Sequence, residues 1–186
     1  MSNPYLPAPY KWIENIPNNP KMIVEGLSLL GIKEIPGKDK NNPRIMSMAK
    51  DIGLTEKEYP DDETAWCALA HSWLCWKAGK PLPGKKYDLL RAKSFETWGN
   101  EVMVPMYGDT LVFKRGIGDE RHVGLLIGED IGTYHIMGGN QGNSYSIARM
   151  NKNRLLTARR LYLNGVPASV KQRWVSPIGH ISQNEA

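Results

Sequence analysis

Hydrophobic positions change their period about halfway along the chain. Up to about residue 79 they recur at helical spacing; from about residue 105 they come in short β-rich runs. Behind Asn19 and Pro20, an N-cap and a first helical position, Ile23, Leu27 and Leu30 fall at i, i+4 and i+7 until Gly31 stops the run. Asn42, Pro43, Ile45, Ala49, Ile52 and Gly53 repeat the device. DDETAWCALAHSWLCWKAG then predicts a third helix over about 63–78. Asp62 or Thr64 can cap it, Glu63 suits the positive end of its dipole, and Gly79, Pro81 and Pro83 end it. Trp66, Leu69, Ala70, Trp73 and Trp76 make one stripe; Cys67, His71 and Cys75 stack on an adjacent one. A further short helix is expected in YDLLRAKSFETWG, ending at Gly99.

The second half reads as consecutive antiparallel hairpins. DTLVFKR, HVGLLIG, TYHIMG, SYSIARM and RLLTARRLYL are separated by the turn signals GIGDE, EDIG and GNQGN. Helices followed by strands predict an α+β domain. Residues 1–20, with five prolines, read as an extended surface arm, and about 165–186 as loop and tail. No linker divides the rest, so 1–186 is expected to be a single domain.

Composition narrows the class. An apolar content of 41% with 23% charged residues suits a folded globular chain and excludes a disordered one. With 18 glycines and 13 prolines, an all-helical bundle is disfavoured. No apolar run of about 7 to 15 residues follows a basic start, and none approaches the roughly 20 of a membrane span. Synthesis in the cytoplasm without a signal peptide and no membrane insertion are therefore expected. The net charge of +5 is uneven: residues 149–186 carry seven Lys/Arg against one Glu. Those bases are scattered through a strand-like run, away from most tryptophans, so nucleic acid is not the expected partner. A face for an anionic envelope surface, including Arg154, Arg159 and Arg160, is expected instead.

Two cysteines and four histidines are the candidates for chemistry. Cys67 and Cys75 lie about 12 Å apart along one helix, too far for a disulfide, so both should be thiols. A helix start lowers a thiol pKa, which makes Cys67 a candidate nucleophile, although most free cysteines are small core hydrophobes. Cys75, deep in the helix, reads as core. A nucleophilic cysteine needs a base and a group that orients it. His71 shares the helix with Cys67 and reads as a packing or surface residue, while His180 falls in the tail. For the strand pair, a hairpin centred near residue 131 puts His122 opposite Asn140 on one face and turns His135 away. Asn140 could then fix the His122 tautomer, the orienting role of a Cys-His-Asn triad; a half-buried strand histidine and a turn asparagine are the plainer alternatives. Cys67, His71 and Cys75 would supply only three metal ligands along a line, and the glycine-rich turns do not form a phosphate loop, so neither metal nor cofactor is expected.

AWCALAHSWLCWKAG, GDTLVFKR, RHVGLLIGED and IMGGNQGNSYSIARM, in that order, resemble the CHAP/NlpC-type cysteine peptidases and amidases of the papain-like class. The similarity extends upstream through KMIVEGLSLLGIKEIPGKDKNNPRIMSMAKDIGL to cover roughly residues 10–160, and is strongest for a single-domain branch found in phages and prophages. The resemblance implies hydrolysis of amide bonds in bacterial peptidoglycan. Cys67 would attack, His122 would serve as base and then acid, Asn140 would orient His122, and the Cys67 backbone N–H would help bind the oxyanion. Gly138 stands where many CHAP enzymes carry an acidic residue, and Ala70 and His71 also depart from the branch. A monomeric phage endolysin that reaches the wall after release is the expected setting. An interbacterial amidase toxin, a thiol peptidase acting on protein, and a non-catalytic wall-binding or structural phage protein are the alternatives.

Overall fold

The computed structural model describes residues 3–37, 40–177 and 181–183. The fold is α+β. Three α-helices, α1 (Lys21–Leu27), α2 (Pro43–Asp51) and α3 (Cys67–Lys77), precede six strands: β1 (Asn100–Glu101), β2 (Thr110–Lys114), β3 (Arg121–Glu129), β4 (Thr133–Gly138), β5 (Ser146–Asn151) and β6 (Leu155–Arg160). All pair antiparallel in the order β1-β6-β2-β3-β4-β5.

That order forces the sheet to curl. In a flat sheet β5 and β6 would stand four strand spacings apart, about 19 Å. Only the 3-10 turn Lys152–Arg154 joins them, and four extended Cα steps reach about 14 Å. Register shifts at Val112/Phe113 and at Leu126/Gly128 supply the bends. Curling gives the sheet two buried faces. Leu111, Phe113, Leu126, Ile136, Met150 and Ala158 fill the concave one. Val112, Val123, Leu125 and Met137 join the larger core with Leu69 and Trp73 of α3.

α3 runs through the centre of the domain. Every residue from Cys67 to Cys75 is buried, so this helix has no solvent face; only at Trp76, 44% exposed, does the expected stripe reach water. α2 starts as expected, with the Asn42 side chain accepting from Arg44 N at 2.8 Å. α1 starts differently. Asn19 donates to Ile13 O and accepts from Tyr107 Oη, leaving Pro20 at the cap position.

Three other expectations change. The N-terminal segment is not an extended surface arm: Ala8–Asn15 form a 3-10 helix, and Leu6, Tyr10 and Ile13 are buried, because its apolar residues close the core. The helix expected over 87–99 is two 3-10 turns, Lys86–Leu90 and Ala92–Thr97. The three arginines expected on a basic face bond internally. Arg160 forks onto Asp109, buried at the head of β2, with Nε and Nη2 each 2.7 Å from a carboxylate oxygen. Arg159 donates to Trp98 O and Gly99 O, and Arg154 to Lys114 O and Ser182 O. No helix among the described residues is long and apolar enough to cross a membrane.

Candidate active site

Cys67 is the first residue of α3, four positions later than the pattern of the segment predicts. The expected caps serve the preceding loop instead. Asp62 is buried and accepts from Ile35 N and Asn42 N; Asp61 accepts from Thr64 N and Thr64 Oγ1. Trp66 takes the cap position with no side-chain hydrogen bond to the helix, and no acidic residue lies in the first turn, Glu63 included. The amide groups that open α3 are thus not neutralised by a capping oxygen, and their field favours an anion at Cys67. Cys67 is 5% exposed and lines a cleft of about 460 Å³.

One wall of the cleft is Leu90–Lys93, where the two 3-10 turns meet at Arg91; the other is the β2–β3 hairpin, with Arg115 and residues 119–121. Arg121 directly precedes His122, so the thiol and the start of β3 meet at this cleft. His122 itself is fully buried, paired across the sheet with Phe113.

A glutamine sets the orientation of His122. Gln141 Oε1 lies 3.2 Å from His122 Nε2, and Gln141 Nε2 donates to Ile136 O at 3.2 Å and Ser146 O at 2.7 Å. Backbone carbonyls only accept, so the amide nitrogen must face them and the amide oxygen must face the imidazole. In the neutral ring the proton therefore sits on Nε2 and Nδ1 is the basic nitrogen.

Asn140 immediately precedes Gln141 in the chain. The pairs Leu125↔Met137 and Leu126↔Ile136 keep the expected hairpin centre, which sets position 140 across from His122. But β4 ends at Gly138, and Asn140 adopts the left-handed region with φ 55°. Strict alternation stops there, and the next side chain, Gln141, makes the contact at Nε2. The sequence contained Gln141 in the same GGNQG turn; continuing the strand geometry two residues too far hid it. Gly139 brings this turn against the nucleophile helix: a Cβ added there would fall 2.6 Å from the Trp66 ring and 3.1 Å from Ala70 Cβ. The small residues at 139 and 70 permit that approach.

The remaining candidates are accounted for by packing. His71 is 2% exposed, hydrogen-bonded through Nε2 to Thr110 Oγ1 at 2.8 Å and set edge-on to Phe95. Burial, with the nearby charges of Lys80 and His122, pushes its pKa down to about 3. At so low a pKa the ring is too weak a base to take the Cys67 proton near neutral pH. Burial pushes the Cys75 thiol up to about 12, and neither cysteine is in a disulfide. His135 binds Tyr10 Oη through Nδ1 at 2.7 Å and Asp130 through Nε2 at 3.1 Å, which ties the N-terminal 3-10 helix to the sheet. His180 lies outside the described residues. Among the described residues, no three His, Cys, Asp or Glu side chains cluster as a metal site.

Compared with protein-family models and with curated proteins, the chain matches none.

Proposed function

We propose that the chain is a papain-like cysteine hydrolase of the CHAP/NlpC kind that cleaves an amide bond of bacterial peptidoglycan. The reading rests on the resemblance above, and one observation carries its chemistry: Cys67 opens an uncapped helix in a cleft. His122 Nδ1 takes the thiol proton. The thiolate attacks the amide carbonyl, and the charge that develops on oxygen is met by the Cys67 backbone N–H. His122 returns its proton to the leaving amine, and water activated by the same nitrogen releases the acyl group. Gln141 takes the orienting role first assigned to Asn140, because it bonds the ring nitrogen that keeps its proton. Asn140 shapes the turn that presents Gln141.

The test uses purified sacculi and mass spectrometry of the released muropeptides. The wild-type chain is expected to generate new amine and carboxyl ends, and Cys67→Ala none. Equal digestion by the variant would remove Cys67 as nucleophile; no digestion by either would favour a wall-binding protein.

A further inference from the structure

Four cations, Arg91, Lys93, Arg115 and Arg121, line the cleft beside Cys67 against two carboxylates, Asp119 and Glu120. Their circumstances differ. Lys93 Nζ lies 2.9 Å from Asp119, and Arg121 is bound on both sides, by Asp119 and by Glu96, each at 2.7 Å. Those pairs lash the Leu90–Thr97 wall to the β2–β3 hairpin and neutralise each other. Arg91 is exposed, and among the described residues its side chain takes part in no hydrogen bond, ion pair or ring contact. Its backbone is held, with Arg91 N donating to Asp88 O and Arg91 O accepting from Ser94 N, so its guanidinium projects from a fixed base.

We propose that Arg91 is a specificity-determining residue that binds a free carboxylate of the substrate next to the amide presented to Cys67. This inference rests on the hydrolase reading for the identity of the amide, though not for the binding itself. A guanidinium is always charged, and its planar fork matches a carboxylate with two parallel hydrogen bonds. Without an internal partner, Arg91 gives up only water on binding, whereas Lys93 and Arg121 would first have to break an ion pair. The substrate class is therefore a peptide with a free carboxylate near its scissile bond, discriminated from the same peptide with a carboxamide there.

Soluble muropeptides with free stem carboxylates, and the same muropeptides amidated with carbodiimide and ammonia, supply the two probes. Binding is measured by calorimetry on the Cys67→Ala chain, where no turnover intervenes, and hydrolysis on the wild type. We expect the Cys67→Ala chain to favour the free acid by about tenfold. Adding Arg91→Gln should abolish that preference, while Lys93→Gln should leave it within about twofold, since that cation is already neutralised. A thermal melt checks that both variants stay folded, as expected for exposed positions. Preference retained in the Arg91→Gln chain, or no preference or no binding in the parent, overturns the inference. Wild-type cleavage of both probes at equal rates would leave the hydrolase reading standing and remove the carboxylate subsite. Selective binding without any cleavage would do the reverse.

Discussion

α3 carries the same chemistry twice, with opposite outcomes. At its first turn, Cys67 faces a cleft and uncapped amides, and the cleft reaches the start of β3, where Gln141 sets the tautomer of His122. Within the body of the helix, Cys75 is fully buried and His71 is sealed against Phe95 and Thr110, the thiol pushed up to about 12 and the imidazole down to about 3. Burial works against charge in both, and the charge of Lys80 near Cys75 does not overcome it. The difference teaches that residue type and helical spacing do not make a nucleophile and a base. What the proposed pair has in addition is a cleft, the end of a helix and an amide oxygen that fixes the imidazole tautomer.

Four measurements can break this contrast, beginning with the largest effect. Cys67→Ala is expected to lower kcat for peptidoglycan cleavage on the order of 10³-fold or more. Cys75→Ala should keep the activity and lose about 1 to 2 kcal/mol of stability to the space left in the core. Iodoacetamide should correspondingly label the native chain at Cys67 alone, and Cys75 only after unfolding. Comparable labelling of both native thiols would erase the distinction.

The histidines give the second measurement. His122→Ala should cost between about 10² and 10⁴ in kcat, the usual worth of a general base. His71→Gln should change kcat by less than about tenfold, because an imidazole whose pKa is pushed down to about 3 is too weak a base to take the thiol proton near neutral pH. Loss in the His71 variant alone would transfer the base to the helix.

Gln141→Ala comes third, with an expected loss of about 10- to 100-fold in kcat/KM and an altered pH–rate profile from a ring no longer held in one tautomer. Gln141→Glu, which keeps an acceptor facing Nε2, should recover part of the rate. An Asn140→Ala variant that lost more than Gln141→Ala would return the orienting role to Asn140.

The fourth measurement concerns acid stability rather than rate. His71 titrates near 6.5 when unfolded and about 3 when folded, so above pH 6.5 it is neutral in both states and contributes no pH dependence. As pH falls below 6.5 only the unfolded chain takes up this proton, and stability declines by up to about 1.4 kcal/mol per pH unit until the folded pKa is reached. His71→Gln should remove that slope in urea titrations between about pH 6 and 4. An unchanged slope would mean that His71 is not sealed.

Elsewhere burial and hydrogen bonding oppose each other at one group. Burial disfavours the Asp130 carboxylate, yet donors from Thr133, His135 and Arg149 overcome it and hold the carboxyl far below the usual range. At Cys75 the charge of Lys80 opposes burial without overcoming it, and at His71 the nearby charges of Lys80 and His122 add to burial.

Much of this architecture was legible because its signals are local. Asn42 and Pro43 start α2 by their own side-chain chemistry, and alternation with glycine-rich turns marks β2 to β6 wherever the chain passes. The position of Cys67 near a helix start and the assignment of Cys75 to the core also follow from neighbouring residues. What failed was non-local. Asp62 and Thr64 look like helix caps until Ile35 and Asn42 claim Asp62 and Asp61 claims Thr64, which moves the helix start to Cys67. Five prolines suggest a detached arm until Tyr10 meets His135 and Ile13 enters the core. Arg159 and Arg160 look like surface charge until the backbone at 98–99 and Asp109 come within reach.

The sequence by itself determined the order of helices and strands, the two thiols and the register that aims the GGNQG turn at His122, since each depends on spacing within a few residues. Only the tertiary structure decided which neighbour in that turn holds the imidazole, which thiol meets a cleft and which arginine lacks a carboxylate. Those outcomes depend on contacts between segments tens of residues apart, where one left-handed residue or one borrowed cap changes the partner.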